Sequence, residues 1–317
     1  MVENSTGAPQ GSVLSPFLFL VLVSDMEECI QGLDGVRLLS YADDTTIYAC
    51  ADTWEEVYKL LSEAARRILT FMNTSGLSAN PEKTNFVLFG PDQGKPILVG
   101  DTSLFASKGE KLVGVQVTSD LSWKLNLQEK EKELRGRIGI LRRLSWHLPR
   151  QTMVKCINPI FTSKLTYGLE LMADPEKHYN KDKAKCTIIA RLQRLLNEAV
   201  RAALRLHKGE HITESELMRR GQQLSVARLA ERALASQAWN ALASQERQDN
   251  SDIAKRIERG QVTRVTRQRH EERFPPQSVS DSLVSRVCKM WNILPEDIRQ
   301  ERLKSSAKAK IKEMFVP

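Results

Sequence analysis

Two hydrophobic periods alternate along the first part of the chain. The longest apolar run, VLSPFLFLVLV from Val13 to Val23, is interrupted only at Ser15 and Pro16. It has about half the length of a membrane span. Proline is pre-set for the first turn of a helix, so the run predicts a buried helix continuing to about Cys29. GLDG, from Gly32 to Gly35, is a turn signal. Val36 to Ser40 and Thr45 to Ala49 then read as two short strands around YADD, a buried hairpin. Thr53 and Glu56 have the spacing of a capping box. Behind them Val57, Leu60, Leu61, Ala64, Ala65, Ile68, Leu69 and Met72 follow the 3,4 spacing of one buried helix face, ending near Asn73 and Gly76. Asn85 to Phe89 predicts a strand, and KLVGVQVT is another β-prone stretch.

After Leu121 the pattern becomes helical. Leu134, Ile138, Leu141 and Leu144 mark one helix stopping before Pro149. Leu192, Leu195, Leu196, Ala199, Ala203 and Leu206 mark a second, with Arg191, Arg194, Arg201 and Arg205 on its other faces. SVARLAERALASQAWNALASQ is a third. Residues 249–278 carry little hydrophobic period and predict a linker, and apolar spacing returns around Trp291. The fold class is therefore α+β: a mixed region over 1–120, helices over 121–248, a linker over 249–278 and a helical tail over 279–317.

Charge sharpens that division. Residues 1–120 hold 8 Lys and Arg against 16 Asp and Glu, whereas 121–317 hold 39 against 23, giving −8 and +16. A basic half points to a polyanion, with a solvated helical surface as the plainer reading. The five cysteines are scattered, odd in number and without C-x-x-C, as in a cytosolic or nuclear protein with reduced thiols. His207 and His211 share helical spacing but have no second ligand pair nearby. Neither a basic secretory n-region nor a membrane anchor is visible.

The chemistry concentrates in SYADDTTIYAC, residues 40–50. Adjacent carboxylates such as Asp43 and Asp44 repel and need compensation. An isolated pair is most often a surface turn. The other reading is a divalent cation: oxygen-rich sites suit Mg²⁺, which takes substrate phosphates as further ligands. Paired metals can activate an attacking hydroxyl and stabilise a leaving pyrophosphate.

GAPQGSVLSP, then YADDT, then NPEKTNFVLFG, in this order, resemble the reverse transcriptases of non-LTR retrotransposons. The resemblance extends through KLVGVQVTSDLSW and PIFTSKLTYGLELMAD to MWNILPEDI. It implies a partial polymerase palm followed by a mostly helical thumb and extension. It implies RNA-directed DNA polymerase activity on an RNA template, a DNA primer and deoxynucleoside triphosphates, with Mg²⁺, or Mn²⁺ in its place. On this resemblance Asp43 and Asp44 are metal ligands, and Lys83 protonates or neutralises the departing pyrophosphate. Tyr41 and Ala42 pack beside the primer end. Gly7, Pro9, Gln10, Gly11 and Ser12 contact template and incoming nucleotide. Leu112, Val113 and Gly114 match the primer-gripping turn, although relatives often read Leu-Gly after an aromatic.

The family carries another metal-binding aspartate on a strand well before GAPQGS. Here MVENST precedes Gly7 and contains none. Asp25 reads as a helix-end residue. The downstream zinc knuckle of some relatives has no matching Cys/His cluster. The expectation is therefore the C-terminal part of such an enzyme, with little or no activity by itself. The alternative is a non-catalytic nucleic-acid binder using the basic half, and a third reading is an inert product of a decayed element. A palm without its leading strand would also leave an open edge and exposed apolar surface.

Overall fold

Pro16 lies in the first turn of helix α1 (Ser15–Ser24), where its missing N–H costs nothing. The computed structural model describes residues 11–90, 94–100, 102–173, 188–207, 209–242, 283–301 and 303–315. The chain divides into two units, Met1–Asn126 and Leu127–Pro317. The predicted linker lies outside the described residues.

In the first unit α1 does not run on to Cys29. Its geometry tightens into a 3-10 segment, Asp25–Ile30, with Asp25 at the junction. Met26 and Ile30 of that segment enter a core with Val36, Ala64 and Ile68. The expected burial of α1 is overturned: none of its 10 residues is buried, and Phe17 is 63% exposed. A helix apolar on every side needs cover on every side, and the 3-10 segment beside it anchors only one end.

Strands β1 (Val36–Tyr41) and β2 (Asp44–Ala49) form an antiparallel hairpin in which Val36 faces Ala49 and Tyr41 faces Asp44. Gly35 closes its base. The carbonyl of Gly35 accepts a 2.9 Å bond from the Cys50 N–H. Its φ of +83° and the Cys50 carbonyl 2.3 Å from where a Cβ would sit leave room only for glycine. Helix α2 (Trp54–Thr74) starts as the capping box predicts, with the Thr53 hydroxyl accepting from the Glu56 N–H at 3.3 Å. Arg67 of α2 donates to the carbonyls of Cys29 and Gln31, which end the 3-10 segment. Hydrogen bonds from Arg66 and Arg67 lower the Glu63 carboxyl to about 2.

The remaining strands are short: β3 (Phe86–Val87), β4 (Ile97–Val99), β5 (Thr102–Leu104), β6 (Ala106–Ser107), β7 (Gly109–Leu112) and β8 (Val115–Thr118). β3 pairs in parallel with β6, while β4–β5 and β7–β8 are antiparallel. The strand predicted over Asn85–Phe89 is thus reduced to two residues. The described strands form four separate two-stranded ladders. Ile97 and Val99 pack on Tyr58 and Ala65 of α2, and Phe86 meets the Tyr58 ring edge-on at 6.3 Å.

The second unit is helical: α3 (Lys124–Ser145, entering from the first unit), α4 (Arg150–Ile157), α5 (Ser163–Thr166), α6 (Leu169–Met172), α7 (Ile188–Leu204), α8 (Glu214–Gly221), α9 (Val226–Leu242), α10 (Leu283–Ile293), α11 (Glu296–Arg299) and α12 (Lys304–Phe315). The predicted stripes of α3 and α7 form its main core with Phe161 and Leu165. Trp239 of α9 packs with Val287 and Trp291 of α10, Ile298 of α11 and Ile311 of α12, so the tail belongs to this unit.

Polar pegs complete the packing. Pro159 cannot donate to the helix ladder, and α4 passes into α5 through one π turn, Asn158–Thr162. Arg137 of α3 donates to the Ile160 carbonyl there at 2.7 Å. Lys130, 7% exposed, gives its three N–H donors to the carbonyls of Lys164, Leu165 and Tyr167. The Gln193 carbonyl oxygen accepts from the Val226 N–H and caps α9. Arg286 of α10 donates to the carbonyls of Ala173 and Leu171 after and within α6.

Two outcomes are expected. Lys130→Ala leaves three carbonyls without their donor and should cost about 1–3 kcal/mol, read as a lower melting temperature. Burial first, then the nearby Lys164, lowers the Lys130 ammonium to about 8 from an ordinary 10.5. Between those pH values the unfolded chain binds more protons, so the wild type should gain stability over the variant as pH rises through that window. Separately, the uncovered α1 should drive self-association. Phe17→Lys together with Val21→Lys should shift the protein toward monomer in light scattering, and an already monomeric wild type would contradict this.

Candidate active-site hairpin

Ladder geometry decides where the aspartates face. Side chains alternate along a strand, and Val36, Leu38, Ile47 and Ala49 all point into the core shared with α2. Tyr41 and Asp44, directly paired, therefore share the opposite face with Leu39 and Thr46. That face is open: Tyr41 is 65% and Leu39 is 52% exposed. The hairpin expected to be buried is buried on one face only, and its tip stands free.

The tip is a two-residue loop, Ala42–Asp43. Ala42 has a φ of 52°, a positive angle at the first loop position where a II′-type hairpin usually takes glycine. The turn sets Asp43 at the apex and Asp44 at the first paired position, both exposed. Their oxygens are hard donors, directed to solvent and suited to Mg²⁺. Among the described residues no group of three His, Cys, Asp or Glu side chains is placed to hold a metal. A metal at this carboxylate pair would need further ligands from elsewhere.

The other predicted positions are distributed over separate elements. Gly11, at φ +82°, and Ser12 lead into α1. Ser12 Oγ accepts from the Leu14 N–H at 3.3 Å. Gly7, Pro9 and Gln10 lie outside the described residues. Lys83 is exposed and ends the 3-10 turn Pro81–Lys83. Leu112, Val113 and Gly114 form the tip of the β7–β8 hairpin, whose ladder is separate from β1–β2. The local hairpin therefore brings Tyr41, Ala42, Asp43 and Asp44 together, while Ser12, Lys83 and the Leu112–Gly114 tip lie on other elements. Leu39 is an addition: its place on the Asp44 face follows from strand alternation, a signal present in the sequence.

Val113 has φ 45° and Gly114 φ 78°, both positive as in a type I′ turn. A β-branched residue in that region is strained, where asparagine would be at ease. Val113→Asn is expected to stabilise the protein by about 1 kcal/mol, seen as a higher midpoint in denaturant. A lower midpoint would show that the valine side chain is held by contacts worth more than the strain.

Residues 2–132 match the family described as Reverse transcriptase (RNA-dependent DNA polymerase). The chain is also 21% identical over 183 residues to a Retrovirus-related Pol polyprotein from type-1 retrotransposable element R1 of Nasonia vitripennis. That alignment covers 54% of this chain and 54% of the relative, so the chain spans about half the length of the curated relative it matches. No solved structure matches the chain significantly. The exposed carboxylate hairpin falls inside the matched segment, so the part of the chain that carries it is similar to reverse transcriptases.

Proposed function

We propose that Asp43 and Asp44 are the metal-binding carboxylates of RNA-directed DNA synthesis, working on an RNA template, a DNA primer and deoxynucleoside triphosphates. The carrying observation is the exposed two-residue turn that holds both carboxylates at the tip of a core-anchored hairpin. In this reading residues 1–126 contribute to the polymerase palm, and the helices after them are its thumb and extension. Mg²⁺ bound at the pair would make the primer 3′-hydroxyl a better nucleophile and neutralise charge on the leaving pyrophosphate.

The chain's own side chains have distinct tasks. Tyr41 and Leu39 offer apolar surface beside the carboxylates, on which the primer terminus rests. Lys83 supplies positive charge for the pyrophosphate. Gly11 and Ser12, with Gly7, Pro9 and Gln10, approach template and nucleotide closely because glycine backbone permits it. The β7–β8 tip at Leu112, Val113 and Gly114 holds the primer strand. Phosphoryl transfer relies on positioning and charge neutralisation, and a two-metal centre needs more than two carboxylates. The chain by itself should therefore polymerise weakly or not at all. A cytoplasmic or nuclear site of action accords with the thiols: Cys29, Cys50, Cys156 and Cys288 are all free. Among the described residues no helix is long and apolar enough to cross a membrane.

Two measurements test this reading. Titration with Mn²⁺, followed by electron paramagnetic resonance, should show weak binding that Asp43→Asn with Asp44→Asn removes. Primer extension on an RNA template should give trace incorporation, lost at least about 100-fold in Asp43→Ala. Incorporation that survives Asp43→Ala, or Mn²⁺ binding unchanged by the double variant, would refute the assignment.

A further inference from the structure

The segment from Leu134 to Leu169 contains no aspartate or glutamate and seven lysines or arginines. At its middle, where α3 gives way to α4, Trp146 is 75% exposed. Its open indole offers a large flat π face to solvent. Arg142 and Arg143 lie one helical turn before it, and His147 and Arg150 follow; all four are exposed. Among the described residues no carboxylate pairs with Arg142, Arg143 or Arg150.

The indole also has a cation beside it. Arg205, just past α7 at φ 55°, sets its guanidinium 5.9 Å from the ring centroid. The same guanidinium donates to the carbonyls of Ser145 and Leu148, at the end of α3 and in the turn that follows. Arg205 therefore caps this helix end and backs the Trp146 ring, and the ring remains open to solvent. An exposed aromatic face among unpaired arginines has the two parts of a single-strand contact: stacking for a base and charge for the flanking phosphates.

We propose that Trp146, backed by Arg205, is a stacking platform for an unpaired base of a single-stranded nucleic acid, with Arg142, Arg143 and Arg150 on its phosphates. The proposal rests on the reading of the helical unit as a nucleic-acid-binding part of a polymerase and adds to it a strand type and a residue. Stacking needs a π face and little else, so the site takes RNA or DNA and accepts any base. A peptide lacks the repeated anionic spacing that Arg142, Arg143 and Arg150 suit.

The test uses the whole chain and a fluorescein-labelled oligothymidylate, with binding read by anisotropy across a salt series. A matching oligonucleotide of abasic sites keeps the phosphates and removes the bases. Trp146→Ala should weaken oligothymidylate binding about tenfold and leave abasic binding unchanged. Trp146→Phe should restore most of the loss. Arg142→Ala with Arg143→Ala should weaken both ligands and lower the salt slope by about 1.4. In the unaltered chain, photocrosslinking of an iodouridine-containing strand should label Trp146, which needs no variant to fold. Equal binding by wild type and Trp146→Ala, or a crosslink confined to other residues, overturns the platform and leaves the nucleic-acid reading standing. Binding by the wild type that is absent or flat with salt overturns both.

Discussion

A one-residue slip in the β1–β2 ladder would turn Val36, Leu38, Ile47 and Ala49 away from α2 and drive Asp44 and Tyr41 into the core. Four apolar side chains thus hold the register against the burial of a charge. The consequence reaches the chemistry directly. The carboxylate pair faces outward because the opposite face of the same two strands is the better hydrophobic surface. Gly35 fixes one end of this ladder through the Cys50 N–H, and the Ala42–Asp43 turn fixes the other.

The helical unit uses a different device. Its long helices are joined by irregular backbone, and each irregularity is met by a buried or half-buried polar side chain from another helix. Arg137 serves the π turn, Lys130 the end of α5, Gln193 the start of α9, and Arg286 the end of α6. Such pegs contribute modestly as bonds, but leaving their partners unmet would be costly. They fix helix ends in space, which apolar stripes alone leave free to slide. Arg205, although exposed, makes the same kind of bond, and the helix end it caps carries Trp146.

The two units differ in charge. The acidic unit holds its carboxylates at a hairpin tip, where a cation can offset their repulsion. The basic unit exposes arginines that face no carboxylate among the described residues.

Much of this was legible before any coordinates. The capping box at Thr53 and Glu56, the heptad-like stripes of α3 and α7, and the turn between Tyr41 and Asp44 are local signals, and local backbone physics carries them out. Three-dimensional packing decided the rest. The apolar run of α1 predicts burial, yet burial requires a neighbour, and no periodicity names one. The β-prone stretches predict strands, but ladder partners are set by long-range pairing, which split them into separate two-stranded pieces. Lys130 and Arg205 look like any solvated basic residues in the sequence. Only the arrival of three carbonyls at one ammonium, and of an exposed indole beside one guanidinium, gives them their roles. Covalent order determined which side chains are neighbours along the chain, and tertiary packing determined which polar groups lost water and therefore had to find each other.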